Sequence, residues 1–143
     1  MATLRDKVVL ITGASSGIGQ AAAKLLAEKG AKVVVNYNRN QQGALETREA
    51  IEKMNGECLV VQADVSKKEE VDEMVAKAIK VFGQIDVLVN NAGSAVRRSA
   101  FLDIDEELWE KTFDINVKSM YRVSQAVLKH MVARKSGKII NIS

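Results

Sequence analysis

Residues Val8-Val9-Leu10-Ile11-Thr12-Gly13-Ala14-Ser15-Ser16-Gly17-Ile18-Gly19 decide the fold. Four apolar residues without polar alternation are the habit of a strand covered on both faces, and a glycine turn then opens into a helical pattern over 18–29. Strand, turn and helix start in that order make a phosphate cradle. Gly13 can take backbone angles closed to other residues, and Gly17 and Gly19 carry no Cβ where a pyrophosphate and the first strand come close. The helix start aims unpaired N–H groups and its positive dipole end at the anion. The spacing Gly-x-x-x-Gly-x-Gly differs from the general dinucleotide pattern Gly-x-Gly-x-x-Gly. The triplet alone therefore leaves two readings, a nucleotide site and a helix start with glycines for packing.

Outward from this stretch, short runs rich in Val and Ile predict strands over 7–12, 32–36, 58–62, 85–89 and 138–142. Helical patterns fall between them, over 18–29, 41–55, 67–82 and 106–134, the first three stopping at Gly30, Gly56 and Gly83. A capping box from Ser66 to Glu69 is expected to start the third, whose Val71, Val75, Ala78 and Phe82 share a face. Strict alternation of strand and helix predicts an α/β fold, a doubly wound parallel sheet of Rossmann type in strand order 3-2-1-4-5. Ligands are expected at the carboxyl ends of its strands.

The chain has 143 residues and 47% hydrophobic content, enough for one domain with a proper core. Lys and Arg number 21 against 18 for Asp and Glu, and the net charge of +3 is spread without blocks, which argues for solubility and against nucleic acid as a partner. Cys58 is the only cysteine, so no disulfide within the chain and no cysteine-based metal site can form. No signal segment opens the sequence and no apolar run spans a bilayer. A cytoplasmic location is expected.

Two further motifs sit at predicted strand ends. Asp64-Val65 follows the third strand, and Asn90-Asn91-Ala92-Gly93 follows the fourth. Asparagines bonding their own backbone in a turn would also account for that pair. Asn116 falls inside the long helix, where an asparagine ordinarily faces solvent. His130, the only histidine, lies among cations near a helix C-terminus, Trp109 reads as a packing anchor and Cys58 as strand core.

Taken together, residues 12–19, Asp64-Val65, Asn90 to Gly93 and Asn116 resemble, in order and spacing, the short-chain dehydrogenase/reductase family. Within it the chain looks most like 3-oxoacyl-acyl-carrier-protein reductases and glucose dehydrogenases. The resemblance implies a nicotinamide cofactor across the strand ends and hydride transfer with a carbonyl or alcohol substrate. It places the pyrophosphate on Gly13, Ser15, Ser16, Gly17, Ile18 and Gly19, and the adenine on Asp64 and Val65. Asn90, Asn91, Ala92 and Gly93 would line the cofactor and brace the sheet. Asn116 would hold a water in the proton relay. The family's catalytic serine, and the Tyr-x-x-x-Lys beyond it, have no counterpart here: Ser143 aligns with the residue before that serine, Tyr37 belongs to the adenosine end, and Tyr121 has Gln125 rather than lysine four places on. The expectation is thus a single dinucleotide-binding domain, truncated before the catalytic residues.

Cofactor choice is expected at the end of the second strand, in Asn36-Tyr37-Asn38-Arg39. NAD enzymes of this design place an acid there to bond the ribose 2′-hydroxyl. With Tyr37 in that place, a 2′-phosphate is tolerated and Arg39 is positioned to bind it, so NADP is favoured over NAD. Arg39 comes one place later than is usual, and Ser16 stands where many NADP-preferring relatives carry a second basic residue. A non-catalytic nucleotide-binding or assembly module is the competing reading. A site for S-adenosylmethionine would leave Asn90 to Gly93 and Asn116 unexplained.

The fourth helix carries one more expectation. Lys111, Lys118, Arg122, Gln125 and Lys129 collect in a narrow polar strip, while Trp109, Phe113, Val117, Met120, Val127 and Met131 fill a broad apolar face. Covering a sheet needs only part of that face. Self-association through the 106–134 helix and the 138–142 edge strand is expected.

Overall fold

The computed structural model describes residues 3–143. Strands β1 (Val8–Ile11), β2 (Lys32–Tyr37), β3 (Cys58–Gln62), β4 (Val87–Asn90) and β5 (Lys138–Asn141) form one parallel sheet in the order β3-β2-β1-β4-β5, as expected. Between them run α1 (Gly17–Glu28), α2 (Gln41–Glu52), α3 (Lys68–Phe82), α4 (Glu106–Phe113) and α5 (Ser119–Arg134). Alternation along the strands splits the core in two. Val9, Ile11, Val33 and Val35 pack with Ala23 and Ala27 of α1 and with Ala44 and Ile51 of α2. Val8, Leu10, Val34 and Leu88 point the other way, against Val71, Met74 and Val75 of α3 and Val123, Val127 and Met131 of α5. Each fully buried Val, Leu or Ile contributes roughly 1.5–3 kcal/mol. That burial on both faces explains why these strands show no polar alternation.

Several local expectations need correction. The 106–134 helix is not continuous: α4 passes into a π turn over Asp114–Lys118 before α5 begins. Within it Asn116 Nδ2 donates to Thr112 O at 2.8 Å, the carbonyl a regular helix bond would use, and to Ser94 O at 2.6 Å in the loop after β4. The Ser66–Glu69 capping box does not form. Asp64 Oδ1 instead accepts from Ser66 N and Oγ at 2.9 and 2.7 Å, and Glu70 Oε2 takes the Asp64 N–H at 2.7 Å. Lys67 becomes the N-cap, with no side-chain capping bond. At the end of α2 the left-handed residue is Asn55 (φ 57°), not Gly56; Gly56 is needed because a Cβ there would lie 2.7 Å from Ile51 Cγ2. Among the described residues no helix is long and apolar enough to cross a membrane.

Candidate functional site

A groove of about 640 Å³ opens at the carboxyl ends of the strands. Its walls are the glycine loop (Gly13, Ser15, Ser16, Gly17, Ile18), the end of β2 (Asn36, Asn38, Arg39, Asn40), the segment after β3 (Ala63, Asp64, Val65, Ser66) and the segment after β4 (Asn91 to Ser94), with Val96 and Ile115 at the far side. Twelve of the sixteen residues singled out in the sequence meet here. Gly19, Tyr37, Asn90 and Asn116 do not.

The glycine loop has the shape of a cradle for structural reasons that can be read atom by atom. Gly13 has φ +64°, and a Cβ on it would lie 2.9 Å from Ala92 Cα, so both its conformation and its neighbour exclude a side chain. A Cβ on Gly19 would fall 2.4 Å from Asn91 Nδ2 and 2.5 Å from Gly13 O, so Gly19 lets α1 approach the first strand rather than lining the groove. Ser16, the N-cap of α1, makes no side-chain capping bond, and the first turn carries no acid. Its unpaired N–H groups are left for an anionic ligand.

Thr12 and Asn91 lock this loop to the next. Thr12 Oγ1 accepts from Asn91 N and Ala92 N, both at 3.0 Å, while Asn91 Nδ2 donates to Thr12 O and Gly13 O, also at 3.0 Å. Asn90 turns the other way, its Nδ2 donating to Ser124 Oγ (3.1 Å) and Asn141 Oδ1 (3.0 Å), so it braces β4 against α5 and β5 instead of facing the groove. Asn116 is off the groove wall and holds Ser94, which is on it. Its Oδ1 accepts from Ser94 N at 3.1 Å and its two N–H groups go to Ser94 O and Thr112 O, which leaves its side chain no donor for a water. Val96, whose N–H donates to Ser94 Oγ at 3.0 Å, holds φ +59°, a strained conformation for a β-branched residue that costs about 1–3 kcal/mol.

The adenosine end differs from the sequence expectation in one residue. Tyr37 does not line the groove; its side chain is 7% exposed and packs in the α1/α2 core. Asn36, which the sequence places in this stretch without a role of its own, is buried, accepts from Gly13 N at 3.2 Å and donates to Ala63 O at 3.1 Å, joining β1, β2 and β3 under the groove. A lone amide at the end of an apolar strand was its signal. Asn38 and Arg39 stand on the wall. Asp64 is the only acid among the groove residues; burial pushes its pKa up, but bonds from Ser66 and the charges of Lys67 and Arg39 outweigh this and hold it below the usual carboxylate range. Cys58 is remote and inert, its thiol pushed up to about 12, chiefly by burial. No group of three or more His, Cys, Asp or Glu side chains able to hold a metal occurs among the described residues.

The family model for short chain dehydrogenases matches residues 7–143. Over all 143 residues the chain is 44% identical to an uncharacterized oxidoreductase of Methylorubrum extorquens and 42% identical to a 3-oxoacyl-[acyl-carrier-protein] reductase of Synechocystis sp., covering 56% and 58% of those proteins. A short-chain type dehydrogenase/reductase of Mycobacterium marinum superposes with a TM-score of 0.91 at 34% identity, over 97% of this chain and 56% of that one. The chain thus spans a little over half the length of these relatives.

Proposed function

The chain belongs to the short-chain dehydrogenase family, whose members are oxidoreductases using nicotinamide cofactors, and we propose that it is the NADP(H)-binding part of an enzyme that moves hydride between cofactor and a carbonyl or alcohol. The observation that carries the NADP reading is the wall at the end of β2, where Asn38 and Arg39 line the groove and no carboxylate does. An acid there would bond the ribose 2′-hydroxyl and repel a 2′-phosphate. Arg39 offers charge-assisted hydrogen bonds to that phosphate, of a kind that contributes about 1.5–3 kcal/mol, roughly a ten- to hundredfold preference.

The residues fit a dinucleotide. Gly13 and Gly17 with the open first turn of α1 would hold the pyrophosphate, Asp64 and Val65 the adenine, and the Asn91–Gly93 segment the nicotinamide half. When bound, the cofactor supplies a hydride donor or acceptor at its nicotinamide ring. What the chain itself does is orientation. Thr12 and Asn91 fix two loops relative to each other, and Asn116 fixes Ser94 relative to the π turn, so that one face of the ring would be presented in a constant place. In this reading Asn116 acts by position, and a relay water would meet its backbone or the second lone pair of Oδ1.

Titrating the chain with NADPH and with NADH, followed by nicotinamide fluorescence, tests the proposal. NADPH should bind at least tenfold more tightly, and Arg39→Ala should remove most of the difference. Equal affinities in the unaltered chain would overturn the NADP reading.

A further inference from the structure

The glycine loop is fastened from behind to α2. Gln20, in α1, reaches across with its amide: Nε2 lies 2.9 Å from Thr47 Oγ1, 3.2 Å from Gly43 O and 3.4 Å from Ser15 O. Thr47 is fully buried, and its hydroxyl lies 3.1 Å from Ala14 O and 2.8 Å from Gly43 O. Asn40, the N-cap of α2, adds a bond from Nδ2 to Ser15 O at 3.3 Å. Gly43 lets the two backbones touch, since a Cβ there would sit 2.1 Å from Ser15 O.

This junction lies where two walls of the groove meet. Ser15 and Ser16 belong to one wall, Asn38, Arg39 and Asn40 to the other, and the Asn40–Ser15 bond joins the two. We propose that Gln20, Gly43 and Thr47 are positioning residues that hold these walls at the separation a ribose 2′-phosphate requires, and so set cofactor selectivity without touching the cofactor. The inference rests on the NADP reading. A ligand carrying only a 5′-phosphate meets the second wall through neutral ribose hydroxyls, whereas one that also carries a 2′-phosphate must place a charged group there, so its affinity depends more steeply on how the two walls are held. Loosening the junction therefore weakens the second ligand more than the first, which general destabilisation would not do.

The probes are adenosine 2′,5′-bisphosphate and 5′-AMP, titrated by calorimetry into the 143-residue chain, with a thermal melt to confirm that each variant is folded. Gln20→Met removes the amide bonds at constant shape, and Gly43→Ala wedges α2 away while raising its helix propensity, so the second remains informative if the first is poorly folded. Each should lower the ratio of bisphosphate to AMP affinity about fivefold or more, with AMP affinity unchanged within about twofold. Thr47→Val should do the same, and Thr47→Ser, which keeps the hydroxyl, should restore the ratio. Variants that keep the ratio, or lose both ligands in parallel, would overturn the inference while leaving the NADP reading intact. An unaltered chain that binds both probes equally would overturn the NADP reading and this inference with it.

Discussion

Asp86 Oδ1 accepts from Arg134 Nη2 at 2.8 Å across 48 residues of sequence, so the segment entering β4 is tied to the last turn of α5. The other carboxylate oxygen, Oδ2, accepts from Val8 N and Gln84 Nε2, both at 2.8 Å, and Arg134 Nη1 also reaches Ile85 O at 3.1 Å. One buried acid thereby joins β1, β4 and α5 at the amino ends of the strands, opposite the groove. Burial raises its pKa, but the Val8 N–H and the bonds from Arg134 and Gln84 outweigh that and hold it below the ordinary value.

The pair predicts a pH dependence with a definite sign. Because the folded pKa lies below the unfolded one, the stabilisation is fully present above the unfolded pKa and is lost as pH falls through the folded one. Asp86→Ala, which also leaves the Val8 N–H buried without a partner, should lower stability by about 1–3 kcal/mol at neutral pH. Urea unfolding from pH 7 down to pH 2 should find the gap to the unaltered chain narrowing in the acid range. A gap that stays constant with pH would mean the carboxylate's charge contributes nothing.

Most of the fold was legible because its signals are local. Runs such as Val33-Val34-Val35 give the buried strands, and glycines such as Gly30 and Gly83, both left-handed, mark helix ends. What was not legible depends on which side chain wins a contested partner. Asn116 at the π turn bonds Ser94, 22 residues away, and the capping box loses to Asp64 Oδ1, which takes the Ser66 N–H and hydroxyl, while Glu70 Oε2 takes the Asp64 N–H. Tyr37 is the exception: the pleat places it on the same face as Val33 and Val35, and period 2 alone would have sent it to the core.

That placement changes which substitution alters cofactor choice. Tyr37→Asp would bury a carboxylate against α1 and α2 and should destabilise the chain by several kcal/mol rather than recruit NAD. Asn38→Asp puts the acid on the groove wall, where it can accept from ribose hydroxyls and repel a 2′-phosphate. It should shift preference toward NADH by about tenfold or more with little change in melting temperature. Parallel cofactor titrations and melts of the two variants check this; an Asn38→Asp chain with unaltered NADPH preference would contradict it.

Gly13 and Gly17 both have positive φ, yet they should respond differently to alanine. At Gly17 no atom lies within 4 Å of the added Cβ, so only backbone strain of about 1–2 kcal/mol is expected. At Gly13 the same strain is joined by the 2.9 Å approach to Ala92 Cα, which would force apart the loops that Thr12 and Asn91 hold together. Gly13→Ala should therefore cost clearly more stability than Gly17→Ala and weaken cofactor binding. Denaturation midpoints of the two variants, measured side by side, decide it.

Association is the last expectation, and the structure relocates its surface. Val127 and Met131, read in sequence as part of the broad apolar face, are buried in the core beside the sheet, whereas Tyr121, Leu128 and Val132, outside that face, are exposed. The π turn is the reason: one wide turn changes the angular phase of every residue after it. Trp109, Phe113, Val117, Tyr121, Leu128 and Val132 leave an exposed stripe along α4 and α5, with Trp109 and Phe113 stacked at 6.0 Å. A contiguous apolar patch of this kind on a monomer ordinarily marks an interaction surface. The chain should self-associate through it at micromolar concentrations, and the paired substitution Leu128→Glu with Val132→Lys, both at exposed positions, should shift it toward monomer without lowering its melting temperature. Sedimentation velocity over a concentration series is the measurement. A unaltered chain that sediments as a monomer at tens of micromolar would count against the stripe as an interface between copies.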